Sequence, residues 1–264
     1  MKTLKIAAFL FLCTFIAQAQ ETYKHSLSGI KKVKVYTDTS IDLTVGTSNQ
    51  ILISGSKNNH SKHVDSHQKK SRKEKSKGLK ALYSKGNDNT GHGLEVTKDG
   101  STLIIKDLES FMKRSGFKIQ LPKGIDVYLN AGNLGHVKVD GITSEIEIKT
   151  NVGHIDLKNI SGPATVSTNT GNITAVFSTV NQSSPVSFRT ATGDVDVSLA
   201  SSTKANLSLK TTMGTVYTDF DFKIPSSKGL KQYGNSRKID SKINNGGVNI
   251  SLNSTTGNVY LRKK

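Results

Sequence analysis

The sequence contains no tryptophan and one cysteine, Cys13, which lies inside an apolar run near the N terminus. Without a second cysteine the chain cannot close an intramolecular disulfide bond, and no cysteine remains elsewhere for a thiol nucleophile or a metal site. Aromatic residues make up only 6% of the chain. Because sugar-binding surfaces usually offer aromatic rings for stacking, this composition disfavours an aromatic sugar-binding platform.

The chain also lacks an apolar run long enough to cross a bilayer, since a transmembrane helix needs about 20 such residues. A shorter run from Ile6 to Ile16 follows Lys2 and Lys5 and precedes Ala17-Gln18-Ala19. A basic start, a short apolar segment and a small-residue cleavage site are typical of a secretory signal peptide. We therefore predict a signal peptide over residues 1–19 and an exported chain at the cell surface or in the extracellular space, with the periplasm as the alternative.

Acidic residues are scarce compared with basic ones, and the net charge is +17, or +15 once Lys2 and Lys5 are removed with the signal peptide. An exported protein of this charge attracts anionic partners, which are acidic polysaccharide, glycolipid or extracellular DNA. The strongest candidate binding site is a cluster of Lys69, Lys70, Arg72, Lys73, Lys75 and Lys77. We expect this cluster to hold phosphate or uronate groups through charge attraction and counterion release. The alternative is a solvated loop that keeps the protein soluble.

A five-fold repeat occupies the sequence between Ile146 and Leu261. Each copy has two alternating apolar positions, a polar segment, a glycine, and two further alternating positions that are mostly apolar; the glycines are Gly153, Gly171, Gly193, Gly214 and Gly257. Alternation of apolar and polar residues predicts a half-buried strand. Each copy therefore encodes two short strands, joined by a turn in which we expect the glycine at positive φ.

The spacing of the repeat predicts the architecture. The first four glycines lie 18, 22 and 21 residues apart, and Gly257 follows Gly214 after 43 residues. Near-constant spacing is typical of stacked repeats. We predict an all-β, single-stranded β-solenoid, β-helix-like and right-handed, with a β-sandwich as the alternative. A single solenoid domain would cover residues 20–264, with apolar pairs before Ile146 as its first rungs and with insertions at 57–93 and 222–247 outside the coil.

Several histidines are candidate metal ligands. His60, His63 and His67 have a spacing that could hold zinc or copper, but they lie among cations that oppose metal capture. His136 and His154 each follow a turn glycine, so we expect them to stack on adjacent rungs as a polar ladder without a ligand. We predict no metal site and no cofactor.

Asp156 and Asp196 are the candidate catalytic pair. The repeat places them in one outward column with Thr174 between them, at a separation near the upper range for inverting glycoside hydrolysis. The outward columns contain no dense acidic cleft, so we predict no catalytic residue and no enzymatic activity. Tyr217 and Tyr260 also point outward and could form a small contact patch.

Several motifs resemble one bacterial family. They are Gly78-Leu79-Lys80, the segment from Asp88 to Leu94, the Thr-x-x-Gly turns, and the segment from Gly246 to Leu261. The DUF4097-type family of exported β-strand-repeat proteins, which carries an adhesin label, is similar over nearly all of the chain after the signal peptide. The resemblance implies a β-solenoid without established enzymatic activity, and the stretch from Lys57 to Lys77 departs from the family pattern.

We therefore expect a non-enzymatic cell-envelope protein, an adhesin that binds anionic polymers or surfaces. One alternative is a periplasmic structural or envelope-stress protein without a ligand. The other is a polysaccharide-processing enzyme that uses Asp156 and Asp196.

Overall fold

The computed structural model describes residues 22–55, 75, 77–79, 82–109, 116–221 and 237–264, and strands form almost all of their regular structure. In chain order the strands are β1 (Tyr23–Ser26), β2 (Lys32–Tyr36), β3 (Ile41–Val45), β4 (Gln50–Gly55), β5 (Leu94–Asp99), β6 (Thr102–Asp107), β7 (Phe117–Leu121), β8 (Asp126–Asn130), β9 (Val137–Asp140), β10 (Ile146–Val152), β11 (Ile155–Ile160), β12 (Ala164–Thr170), β13 (Ile173–Phe177), β14 (Val186–Thr192), β15 (Val195–Leu199), β16 (Ala205–Thr211), β17 (Val216–Thr218), β18 (Arg237–Ile243), β19 (Val248–Thr256) and β20 (Val259–Lys263). The predicted signal peptide lies outside the described residues.

The strands form two ten-stranded sheets. Sheet A has the order β1-β4-β7-β3-β9-β11-β13-β15-β20-β17, and sheet B has the order β18-β16-β19-β14-β12-β10-β8-β2-β6-β5. The two strands of one repeat belong to different sheets, and each pairs in parallel with the equivalent strand of a neighbouring repeat. A rung is therefore one strand of each sheet joined by a turn. This β-solenoid-like arrangement confirms the predicted all-β class and excludes a stack of hairpins for these repeats.

One apolar core fills the space between the sheets, and it extends from Leu27 near the N terminus to Leu261 near the C terminus. The alternating apolar residues of the repeats face this core, as predicted; Ile173 and Val195 are fully buried. Phe177 and Phe188 also lie inside, with ring centroids 6.1 Å apart. Burial of these rows provides the main stabilising free energy, because apolar surface leaves water.

The rungs are not stacked in the order of the sequence. The last rung, β19–β20, lies between β14–β15 and β16–β17. Near the other end, β2–β3 lies between β6–β7 and β8–β9. The long interval from Gly214 to Gly257 accompanies this change of order. The rung β16–β17 comes first in the sequence, and the later rung β19–β20 pairs between it and β14–β15.

Antiparallel strands cover three of the four sheet ends. β5 pairs with β6, β4 pairs with β7 and with β1, and β18 pairs with β16. The apolar pairs of β4 and β5 thus belong to antiparallel strands near the sheet ends, not to the parallel rungs that the sequence predicted. Residues 237–243 of the predicted second insertion likewise belong to sheet B as β18. Such strands blunt the open edges of a stack, which otherwise pair with other molecules.

A spine of buried hydroxyl groups runs along the turns between the two sheets. Thr168 donates to the carbonyl oxygen of Gly153 at 3.3 Å, and Thr190 donates to that of Gly171 at 2.9 Å. The same bond joins Thr150 to Gly135, Ser254 to Gly193 and Thr211 to Gly257. Each hydroxyl donates a hydrogen bond to a backbone carbonyl oxygen of the adjacent rung in the stack. The spine therefore satisfies these buried carbonyl groups and links adjacent rungs.

Candidate functional site

The outward residues of the sheets form columns, because every rung presents the equivalent position directly above that of its neighbour. Neighbouring strands lie about 4.8 Å apart, so each column is a row of side chains at that interval along the solenoid. A candidate site is therefore a column of outward side chains, and the columns of sheet A and sheet B carry different chemical groups.

His136 and His154 stack in one column beside sheet A, with ring centroids 5.3 Å apart and planes 19° apart, as predicted. Nδ1 of His136 accepts a hydrogen bond from the backbone N–H of His154 at 3.1 Å, and Nδ1 of His154 accepts one from Asn172 at 3.0 Å. Side chains of Asn172, Asp194 and Asn258 continue the ladder in the same way. Because Nδ1 accepts, Nε2 carries the proton, and neither ring has a free lone pair for a metal.

His60, His63 and His67 lie outside the described residues. Within the parts of the chain that the structure does describe, no group of three His, Cys, Asp or Glu side chains is placed to hold a metal ion.

Asp156 and Asp196 lie in one column of sheet A with Thr174 between them, as the repeat predicted. The guanidinium of Arg262 donates to both carboxylate oxygens of Asp196 at 2.8 Å, and this bond raises the pKa of Arg262. Toward the N-terminal end of the sheet, Lys138 lies between Asp156 and Asp42. From Asp42 to Asp156 the column therefore alternates in charge, and the carboxylate of Asp196 pairs with Arg262.

An open depression of about 640 Å³ lies over this part of sheet A, lined in part by His136, Lys138, His154 and Asp156. Farther along, the exposed Tyr217 stacks on Tyr260 with ring centroids 5.2 Å apart. Because the stacked rings face each other, they offer their edges more than a broad aromatic surface to a ligand.

The predicted basic cluster is only partly described. Lys75 and Lys77 are exposed, whereas Lys69, Lys70, Arg72 and Lys73 lie outside the described residues. The cluster remains a prediction.

Sheet B carries a second set of cations, which are far apart in the sequence and were not predicted from it. An outward column runs along β10, β12, β14, β19, β16 and β18 and consists of Lys149, Ser167, Arg189, Asn253, Lys210 and Lys238. We call it the cation column. Four of its six members are basic and none is acidic, so it is the most positive row of aligned side chains in sheet B.

The cations at the two ends of the column are paired with carboxylates. Lys149 Nζ lies 2.8 Å from a carboxylate oxygen of Glu147, and this hydrogen bond raises the pKa of Lys149. Lys238 Nζ lies 2.9 Å from Asp240, whose pKa is lowered chiefly by that hydrogen bond. Arg189 and Lys210, in the middle, form no ion pair with a carboxylate of the described residues. An anionic partner therefore does not have to displace a described carboxylate to reach them.

A parallel row of hydroxyl groups flanks the cation column. Thr165, Ser187, Ser251 and Ser208 lie on the same face, two residues before the cation-column positions in their strands. We call this row the hydroxyl column. An open depression of about 640 Å³, lined by Ser208, Ser251 and neighbouring residues of β16, β18 and β19, lies at its end. Sheet B thus presents cations and neutral hydrogen-bonding groups side by side.

The sequence does contain a signal for the cation column. In each copy of the repeat its member is the residue immediately before the buried Thr or Ser of the turn, as in Arg189-Thr190 and Lys210-Thr211. Superposing the repeats at that position reveals the basic residues. They are separated by about 20 or more residues in sequence, so a search for local charge clusters does not find them.

Comparison with known proteins places the chain in a family. The model described as Toastrack DUF4097 matches residues 22–262. A crystal structure of a "putative cell adhesion protein" from Clostridium sporogenes is similar over 92% of this chain and 98% of that chain, with 12% sequence identity and a TM-score of 0.44. A crystal structure of a "putative adhesin" from Bacteroides fragilis is similar over 94% of this chain and 98% of that chain, with 12% identity and a TM-score of 0.32. No curated protein sequence matches the chain.

The family match begins at Thr22, before β1, and ends at Arg262, within β20. It therefore includes the N-terminal strands, all five copies of the repeat and both outward faces, and it confirms the resemblance seen in the sequence motifs. The chain belongs to the Toastrack DUF4097 family.

Proposed function

We propose that this chain is a non-enzymatic, exported, adhesin-like protein that binds anionic polymers through the cation column of sheet B. The observation that carries the proposal is the position of Arg189 and Lys210, outward on a sheet and without an ion pair to a described carboxylate. The basic cluster from Lys69 to Lys77 would add to the same attraction. Cell-surface or extracellular location fits this role, and the periplasm is the alternative.

The chain from residue 20 to 264 would form one solenoid domain, with insertions at 57–93 and 222–247, the second of which adds β18 to the end of sheet B. The coil would be right-handed, because connections between parallel strands of one sheet are nearly always right-handed. Among the described residues no helix is long and apolar enough to cross a membrane.

The energetics favour a polymer over a small anion. One exposed ion pair contributes only about 0.2–1 kcal/mol, so a single phosphate or carboxylate would bind weakly. A polymer contacts several cations at once and releases the counterions condensed along its length. Binding should therefore weaken steeply as the salt concentration rises.

The test is a charge-neutralised variant, Arg189→Ser with Lys210→Ser, measured against hyaluronate and duplex DNA over a range of salt concentrations. We expect the affinity to fall about tenfold, which corresponds to two surface charge contacts. The matched control is Lys138→Ser with Lys158→Ser, which removes the same charge from exposed positions of sheet A. Equal losses in both variants would show that only net charge matters, and no loss in the sheet B variant would refute the proposed site.

A further inference from the structure

Three cations of the cation column recur at a regular interval. Lys149 pairs in register with Ser167, which pairs with Arg189; Arg189 pairs with Asn253, which pairs with Lys210. From Lys149 to Lys210 basic side chains therefore lie on alternate rungs, at an interval of about 10 Å along the solenoid. Neutral Ser167 and Asn253 occupy the rungs between them. Lys238, on the end strand β18, lies directly beside Lys210 and pairs with Asp240.

This interval does not suit nucleic acid. Duplex DNA carries one charge for about every 1.7 Å of its axis, so cations on alternate rungs would leave most phosphates without a partner. Single-stranded nucleic acid is usually held by stacking its bases on aromatic side chains. From β10 to β18 neither the cation column nor the hydroxyl column contains an aromatic residue; the same two rows continue to Tyr128 on β8 and Tyr36 on β2.

The flanking groups suit a carbohydrate. The hydroxyl column can both donate and accept hydrogen bonds, as sugar hydroxyl groups do. Arg189 offers several N–H donors to a carboxylate or sulfate, and the amide of Asn253, on the next rung, can bond an uncharged sugar unit. Glu147 on β10 and Asp240 on β18 align with the hydroxyl column and pair with Lys149 and Lys238, so Arg189 and Lys210 carry the charge that is open to an anion.

We propose that the ligand of sheet B is a linear acidic polysaccharide with one carboxylate or sulfate on every second sugar, lying along the solenoid axis and across the strands. This rests on the proposed polymer binding and adds the class of polymer and its register. An extended glycan advances by about one sugar unit per rung, so alternate sugars meet Lys149, Arg189 and Lys210. The sugars between them face Ser167 and Asn253.

The test moves one cation by one rung without changing the composition of the protein. In the variant Arg189→Ser with Ser167→Arg, net charge and residue content stay the same, but the central cation lies next to Lys149 and leaves a gap before Lys210. The probes are hyaluronate, which has one carboxylate per disaccharide, polygalacturonate, which has one on every sugar, and duplex DNA. We expect hyaluronate to bind about fivefold more weakly, while polygalacturonate and DNA change less than about twofold.

The outcomes separate the two proposals. If the wild-type protein binds none of the three polymers, polymer binding itself fails. If it binds hyaluronate and the exchange leaves that affinity unchanged, polymer binding survives and the register is refuted. A loss for DNA as large as that for hyaluronate would point to nucleic acid and would also overturn the inference. A second exchange, Lys210→Asn with Asn253→Lys, repeats the test if the first variant does not fold.

Discussion

At the scale of the residue, the hydroxyl spine is a buried polar interaction that links adjacent rungs. Thr190 is fully buried, and its hydroxyl donates to the carbonyl oxygen of Gly171 at 2.9 Å. Thr190→Val keeps the shape of the side chain and leaves that carbonyl without this donor. We expect the free energy of unfolding to fall by about 1–3 kcal/mol, the cost of a buried polar group that loses its partner. Urea denaturation followed by circular dichroism measures the change.

The matched control is Thr174→Val, at an exposed position of the neighbouring strand β13. Its hydroxyl faces solvent, so the free energy of unfolding should change by less than about 0.5 kcal/mol. Equal effects at the two positions would mean that the buried hydrogen bond contributes nothing beyond a general cost of replacing threonine.

The glycines show what could not be predicted at this scale. The sequence predicted positive φ at the turn glycines, and Gly171 has φ of +146°. Gly153 and Gly214 do not have positive φ among the described glycines. They are required for another reason, because a Cβ at Gly153 would overlap the carbonyl oxygen of Gly135 on the adjacent rung. That contact exists only between rungs, so no single copy of the repeat could reveal it.

At the scale of the element, the displaced rungs are the main departure from the sequence prediction. All rungs share one apolar pattern and one turn chemistry, so the repeat alone does not determine which rung lies beside which. Ile250 pairs with both Val186 and Leu207, which puts the C-terminal strand β19 inside sheet B.

This position predicts slow hydrogen exchange near the C terminus. Chain ends normally fray, and their amides exchange quickly. β19 is paired on both sides, so its amides from Ile250 to Ser254 should exchange as slowly as those of β12. They should exchange at least about tenfold more slowly than those of β17, which pairs with β20 at the end of sheet A. Hydrogen exchange with mass spectrometry on peptides of each strand provides the measurement, and fast exchange throughout β19 would contradict the interleaved order.

At the scale of the whole molecule, the repeat predicted the all-β, solenoid-like architecture and most of the core, because alternation and spacing are properties of each copy. The candidate site was less predictable. Clustered charge pointed to Lys69 and its neighbours, whereas the cation column joins Arg189 to Lys210 through Asn253, a residue distant in sequence. The column depends on the order of the rungs, and this order could not be read from local charge.

The interleaved ends also predict how the molecule unfolds. In an ordinary stack each repeat contacts only its neighbours in sequence, so the end repeats can unfold first. Here β2–β3 and β19–β20 are held between other rungs, and one core joins both ends. We expect the chain from residue 20 to 264 to show one calorimetric transition, with equal calorimetric and van't Hoff enthalpies.

Cavities at opposite ends test this cooperativity. Leu43 in β3 and Leu252 in β19 are both fully buried, and replacing either by alanine should cost about 2–5 kcal/mol. If the solenoid is one cooperative unit, each variant lowers the melting temperature of the whole transition and leaves it single. A chain of independent repeats would behave differently, since Leu43→Ala and Leu252→Ala would each split off a separate early transition from the damaged end. Two resolved transitions in the unmodified protein would refute the single domain directly, because the end rungs would then unfold without the rungs that enclose them.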